Sequence, residues 1–164
     1  MKRSYTIRRA RPSDIPAMTE LLEMLFGLES DFSASPDKQR VGLQMLLDAP
    51  SRCCAAVAVV SDGVVGMGTV QTTISTAEGG EAALVEDLFT IPEHRHNGVG
   101  SAILHYLAAW ASQRGITRMQ LLADRNNATA LAFYAGLSWL PTQLLCLRNR
   151  IDNHPGAPGG GYDH

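Results

Sequence analysis

The sequence predicts a single α+β domain of α/β/α type, with a mixed central sheet of about six to seven strands and about four helices. Three observations carry this. Two apolar runs, 53–60 and 64–74, are joined by Asp62-Gly63, a turn pair suited to the positive φ angles of a tight antiparallel hairpin. A further strand-like run, 82–91, leads through Arg95-His96-Asn97-Gly98-Val99-Gly100 into a segment with apolar residues at helical spacing. The chain of 164 residues, 45% hydrophobic and 18% charged, can bury one sizeable core but not two.

Taken in order, Tyr5 to Ala10 reads as a first strand, and Ser13 or Asp14 as the cap of a helix carrying Ile15, Met18, Leu21, Leu22 and Leu25 on one face. A second helix runs from Ser35 to Leu47, with Pro36 in its first turn and Pro50 beyond its end. The hairpin follows, and Glu78-Gly79-Gly80 turns the chain into the strand 82–91. Val99, Ile103, Leu104, Leu107, Ala108 and Trp110 mark a third helix that Gly115 stops. A strand at 116–123, a helix at 127–136 and a last strand pair at 139–147, interrupted by Pro141, complete the domain at 1–150. The tail 151–164, rich in glycine and proline, has too little apolar content to order itself and reads as flexible.

A formal net charge of −2 offers no electrostatic basis for binding nucleic acid or an anionic membrane. Basic residues at the start are not followed by an apolar stretch, and no run approaches membrane-spanning length, so a cytoplasmic protein is expected. Cys53, Cys54 and Cys146 read as reduced, strand-borne apolar residues. A homodimer is compatible with these features without being required by them.

The turn at 95–100 has the chemistry of a phosphate cradle. Glycines let backbone N–H groups approach an anion, and the following helix aims its unpaired N–H groups and positive dipole end at the same place. The spacing is neither a dinucleotide fingerprint, since Ile103 stands where the third glycine would fall, nor a P-loop, since no Gly-Lys-Ser/Thr is present. His94 and His96 do not complete a metal-ligand set, and they read as solvated loop histidines with no metal expected.

Arg95-x-x-Gly98-x-Gly100 after a strand ending at Pro92 resembles the signature of the GNAT superfamily of N-acetyltransferases. Downstream, Asn127-Ala128-Thr129-Ala130-Leu131-Ala132-Phe133-Tyr134 resembles that family's Asn-x-x-Ala-x-x-Phe-Tyr helix. The resemblance spans roughly residues 4 to 148 and is strongest from Leu84 to Trp139. It implies acetyl-CoA as co-substrate, with a central strand splayed from its neighbour. Leu88, Phe89 and Thr90 would line the pantetheine arm, and Arg95, His96, Asn97, Gly98, Val99, Gly100 and Ser101 would hold the pyrophosphate. Tyr134 would stand near the sulfur as general acid and cofactor contact, and Asn127 would bond the cofactor arm or cap its helix.

Acetyl transfer to an amine needs a neutral amine, a stabilised oxyanion and a proton for the departing thiolate. Glu86 and Asp87 are adjacent acids in an apolar strand, a placement that burial penalises unless the charges are solvated or used. Adjacent strand residues point to opposite faces, so simple pleating puts only one of them on the acceptor side. Glu86-Asp87-Leu88-Phe89 resembles the Glu-Asp-aromatic pattern of diamine and polyamine acetyltransferases, which makes Glu86 the candidate base and Asp87 an acceptor-orienting charge. Ser138-Trp139 stands where the family often has Gly-Phe, which places the turn after this helix in question. The leading expectation is transfer to a primary amine of a small molecule by direct attack in a ternary complex. A protein or peptide N-acetyltransferase and a catalytically silent CoA-binding module are the alternatives.

Overall fold

The computed structural model describes residues 4–29, 31–61, 63–149 and 151. The expected tail therefore lies outside the described residues except for Ile151, and so does Asp62 of the predicted turn. In chain order the elements are β1 (Thr6–Arg9), α1 (Ile15–Phe26), α2 (Pro36–Asp48), β2 (Cys53–Val60), β3 (Gly63–Ser75), β4 (Gly80–Thr90), α3 (Val99–Ser112), β5 (Met119–Leu121) and α4 (Ala128–Gly136).

The strands lie in the order β1-β2-β3-β4-β5. Pairs β1–β2, β2–β3 and β3–β4 are antiparallel, while β4–β5 is parallel, as the intervening helix α3 requires. Val60 pairs with Gly63, whose φ of 129° closes the predicted hairpin. Helices cover both faces, so β2 is apolar throughout instead of alternating. Cys54, Ala56 and Ala58 face Ile103, Leu104 and Leu107 of α3, while Ala55 and Val57 face Met18, Leu21 and Leu22 of α1. Small residues let α3 lie close: a Cβ on Gly68 would stand 2.8 Å from Ile103 Cγ2.

Several of the sequence expectations need correction. Among the described residues the sheet has five strands, not six to seven, because 139–147 forms no strand. Ser138 takes a left-handed φ of 65°, and the N–H groups of Ser138 and Trp139 donate to the carbonyls of Ala135 and Tyr134. That is a Schellman closure of α4, so the backbone that would begin the next strand is spent on ending the helix. Leu140, Leu144 and Leu147 beyond it are 84%, 86% and 91% exposed, without the alternation a half-buried strand needs. Strand β5 is correspondingly short at Met119–Leu121 instead of 116–123.

Asp14 stands at the N-cap position of α1, as the sequence allowed, but its side chain makes no cap hydrogen bond to that helix. Its carboxylate turns back to take two hydrogen bonds from Arg8, at 2.6 and 2.8 Å, and one from the Arg11 N–H at 2.7 Å. Arg8 holds the Asp14 carboxyl below its ordinary range, and the pair ties β1 to the start of α1. Cysteines 53 and 54 are buried in β2 as expected, but Cys146 is exposed and outside any strand. His94 is buried rather than solvated, while His96 is exposed.

Candidate active site

Strand β4 pairs with β5 only through Ala83, Leu84 and Val85. Beyond Val85 the two diverge, while β4 continues along β3 as far as Thr90. The edge of β4 facing β5 therefore has no strand partner from Glu86 to Thr90 among the described residues, and backbone groups there, apart from the Thr90 carbonyl that Arg95 takes, are available to a ligand. This is the splay that the family resemblance implied, and it contains Leu88, Phe89 and Thr90.

At the end of this open edge is the cradle. Gly98 has φ 81° and forms the N-cap of α3, whose first turn receives no side-chain cap. The first bond within the helix is from the Ala102 N–H to the Gly98 carbonyl, so the N–H groups at the start of the helix point outward without intrahelical partners. Arg95 is exposed and donates from Nε to the Thr90 carbonyl at 3.0 Å, which anchors the loop to the end of β4. Asn97 donates to the Arg95 carbonyl, and His96 holds a left-handed φ of 61°. Gly100 has a packing duty as well: a Cβ there would meet Phe133 Cζ at 3.3 Å. The contact fastens α4 to the first turn of α3.

The carboxylates depart from simple pleating. Between the pairs Thr69–Glu86 and Met67–Phe89, β4 has one residue more than β3. The extra residue makes a bulge in which Asp87 adopts a left-handed φ of 54°, a conformation that Asp tolerates better than most residues. Glu86 is exposed and accepts a hydrogen bond from Gln71 Nε2 at 2.9 Å, while Asp87 accepts one from Thr69 Oγ1 at 3.1 Å. Thr69 and Gln71 are two apart on β3 and so share a face. Both acids thus reach the same side of the sheet, contrary to the expectation from alternation.

A cleft at the splay is lined by Leu25 and Glu29 near the end of α1, Glu86 and Asp87 of β4, Leu121 of β5 and Tyr134 of α4. Burial raises the Asp87 carboxyl to about 6, with Thr69 opposing and the charges of Glu86 and Glu29 adding to the rise. Burial, then Glu29, raises the Tyr134 phenol above its ordinary value, which keeps it protonated at neutral pH. Glu29 is itself raised, by burial and then by Asp31 and Asp124. Tyr134 packs edge-on to Phe133, with ring centroids 5.3 Å apart. Asn127 is the N-cap of α4, its Oδ1 accepting from the Ala130 N–H at 3.0 Å. Sequence reasoning missed Glu29, Thr69 and Gln71, none of which lies in a motif; only the folded chain brings them beside β4.

The acetyltransferase (GNAT) family profile matches residues 15–138. The chain belongs to the GNAT acetyltransferase family. This acetyltransferase resembles solved structures at low identity. A possible acetyltransferase from Clostridium difficile 630 superposes with a TM-score of 0.78 at 20% identity, covering 90% of this chain and 97% of that one. An aminoglycoside acetyltransferase from an uncultured soil metagenomic sample, in complex with sisomicin, gives 0.74 at 20%, covering 90% and 96%. A predicted acetyltransferase with acetyl-CoA from Clostridium acetobutylicum gives 0.73 at 17%, covering 92% and 99%. No curated protein sequence matches the chain.

GNAT acetyltransferases use acetyl-CoA. The site fits it: an uncapped helix N-terminus opened by a left-handed glycine suits a pyrophosphate, and the unpaired edge of β4 suits an amide-bearing arm. Among the described residues no group of histidine, cysteine or carboxylate side chains could hold a metal ion, and no helix is long and apolar enough to cross a membrane.

Proposed function

We propose that this GNAT enzyme transfers the acetyl group of acetyl-CoA to a primary amine of a small cationic molecule by direct attack in a ternary complex. One observation supports this most: the β4 bulge brings Glu86 and Asp87 to one side of the sheet, in a cleft shared with Glu29 and Tyr134. Three carboxylates there favour a cation. The Glu-Asp pair, which resembles the diamine and polyamine branch, makes a diamine the first acceptor to try.

Acetyl-CoA supplies an activated thioester. The N–H groups at the start of α3, together with Arg95, hold its pyrophosphate, and the free edge of β4 at 88–90 aligns the arm and offers an N–H to the developing oxyanion. Asp87, with its carboxyl near 6, is deprotonated at neutral pH and can take the proton that the neutral amine's nitrogen gives up as it bonds to the thioester carbon. Glu86, the candidate base on sequence, is more exposed and takes the role of cation contact or relays the same proton through water. Tyr134, kept protonated by burial, donates to the departing thiolate.

The test is a panel of diamines, aminoglycosides and simple alcohols with acetyl-CoA, read by release of free thiol across pH. Amines should be turned over and alcohols not, with the rate falling as pH drops through about 6 and Asp87 takes up a proton. Turnover of hydroxyl acceptors alone would refute the amine reading. Acetyl-CoA binding without turnover on any acceptor would leave the silent binding module.

A further inference from the structure

A second cavity, of about 480 Å3, lies between α1, α2 and the sheet. Leu22 and Phe26 of α1, Leu43 and Leu46 of α2 and Cys53 of β2 make its walls apolar. Its size falls within the range of small-molecule pockets. It adjoins the candidate active site, since Asp87 lines both the cavity and the cleft at the splay.

Gln39 of α2 lines the same cavity. The residue is only 9% exposed, and its Oε1 is buried without a hydrogen-bond partner. Buried acceptors in folded proteins are nearly always paired, and an orphan is a site that a donor from elsewhere would satisfy. The cavity thus has an acidic end at Asp87, an apolar middle and an unmet acceptor at Gln39.

We infer that this groove is an acceptor subsite: it takes the elongated apolar body of a primary amine whose reacting end lies at Asp87 and whose body carries an N–H or O–H donor for Gln39 Oε1. The inference rests on the amine acetyltransferase reading and adds the shape and chemistry of the substrate to it. Gly42 lines the groove, and a Cβ built on it meets nothing within 4 Å. A larger residue there fills the groove instead of clashing, and replacing a mid-helix glycine favours the helix.

The experiment is calorimetric titration of the CoA-loaded protein with propylamine, octylamine and 8-amino-1-octanol, preceded by titration with acetyl-CoA itself. Affinity should rise by up to about fourfold per added methylene, with the amino alcohol binding about fivefold more tightly in wild type than in Gln39→Leu. In Gly42→Leu the preference for octylamine over propylamine should fall at least tenfold. Val41→Leu, on the exposed side of the same helix, should keep that preference. Equal binding of the short and long amines in wild type, or an undiminished preference in folded Gly42→Leu, overturns the subsite while the acetyl-CoA titration stands. Failure of wild type to bind acetyl-CoA overturns the acetyltransferase reading as well.

Discussion

Asp87→Asn should make the protein more stable while removing its activity. The carboxyl rises from 3.8 to about 6 on folding, mainly through burial. A charged Asp87 therefore opposes folding at neutral pH by up to about 3 kcal/mol, at 1.36 kcal/mol for each tenfold change in proton affinity. The sign is opposite to that of an ordinary paired carboxylate. The penalty is fully present above the folded value near 6, fades as pH falls from there towards 3.8, and is largely gone at pH 4. Asparagine keeps the left-handed backbone accessible and can still accept from Thr69 Oγ1. Urea denaturation of both proteins at pH 7.5 and pH 4 measures the effect. The variant should gain up to about 3 kcal/mol at pH 7.5, a rise of several degrees in Tm, and little at pH 4. An asparagine variant less stable than wild type at pH 7.5, or a difference identical at the two pH values, would refute the argument that burial of this charge sets the shift.

Tyr134→Phe should keep acetyl-CoA affinity within a few-fold and lower turnover by about 10–1000-fold; single-turnover kinetics showing an unchanged chemical step would reduce the tyrosine to packing. Gly98→Val forces a branched side chain into φ 81° at the mouth of the cradle and should weaken CoA binding at least tenfold, about 1.4 kcal/mol, as read by calorimetry on folded protein. Asp14→Asn should destabilise by about 2–3 kcal/mol, because it leaves the part-buried Arg8 without its ionic partner. Since the Asp14 carboxyl is depressed on folding, that contribution should be present above the ordinary carboxylate range and vanish as pH falls below it; a deficit equal at pH 3 and pH 7 would contradict this. Gly68→Ala, with its Cβ 2.8 Å from Ile103 Cγ2, should cost about 1–3 kcal/mol by overpacking, and a denaturation midpoint unchanged from wild type would show that α3 yields freely.

Much of this protein is local enough to read without its fold. The helices, the strands β1 to β4, the hairpin at Gly63, the glycine turn before α3 and the Asn127 cap each depend on a few neighbouring residues, and each is found close to where the sequence placed it. The bulge at Asp87 was not legible, since alternation describes one strand, whereas the extra residue exists only in register against β3. That register turns both acids to one side. The Schellman closure at Ser138 likewise ends a strand prediction by diverting backbone N–H groups that no composition rule tracks. Glu29, Thr69 and Gln71 lie far from the motifs in the chain, as does Gln39 with its orphaned oxygen. The sequence by itself determined most of the elements, the glycine turn before α3 and the family, because these follow from short-range pattern. The tertiary structure decided which carboxylates meet, how far burial shifts them and what space lies beside them, because those depend on distances between residues remote in the chain.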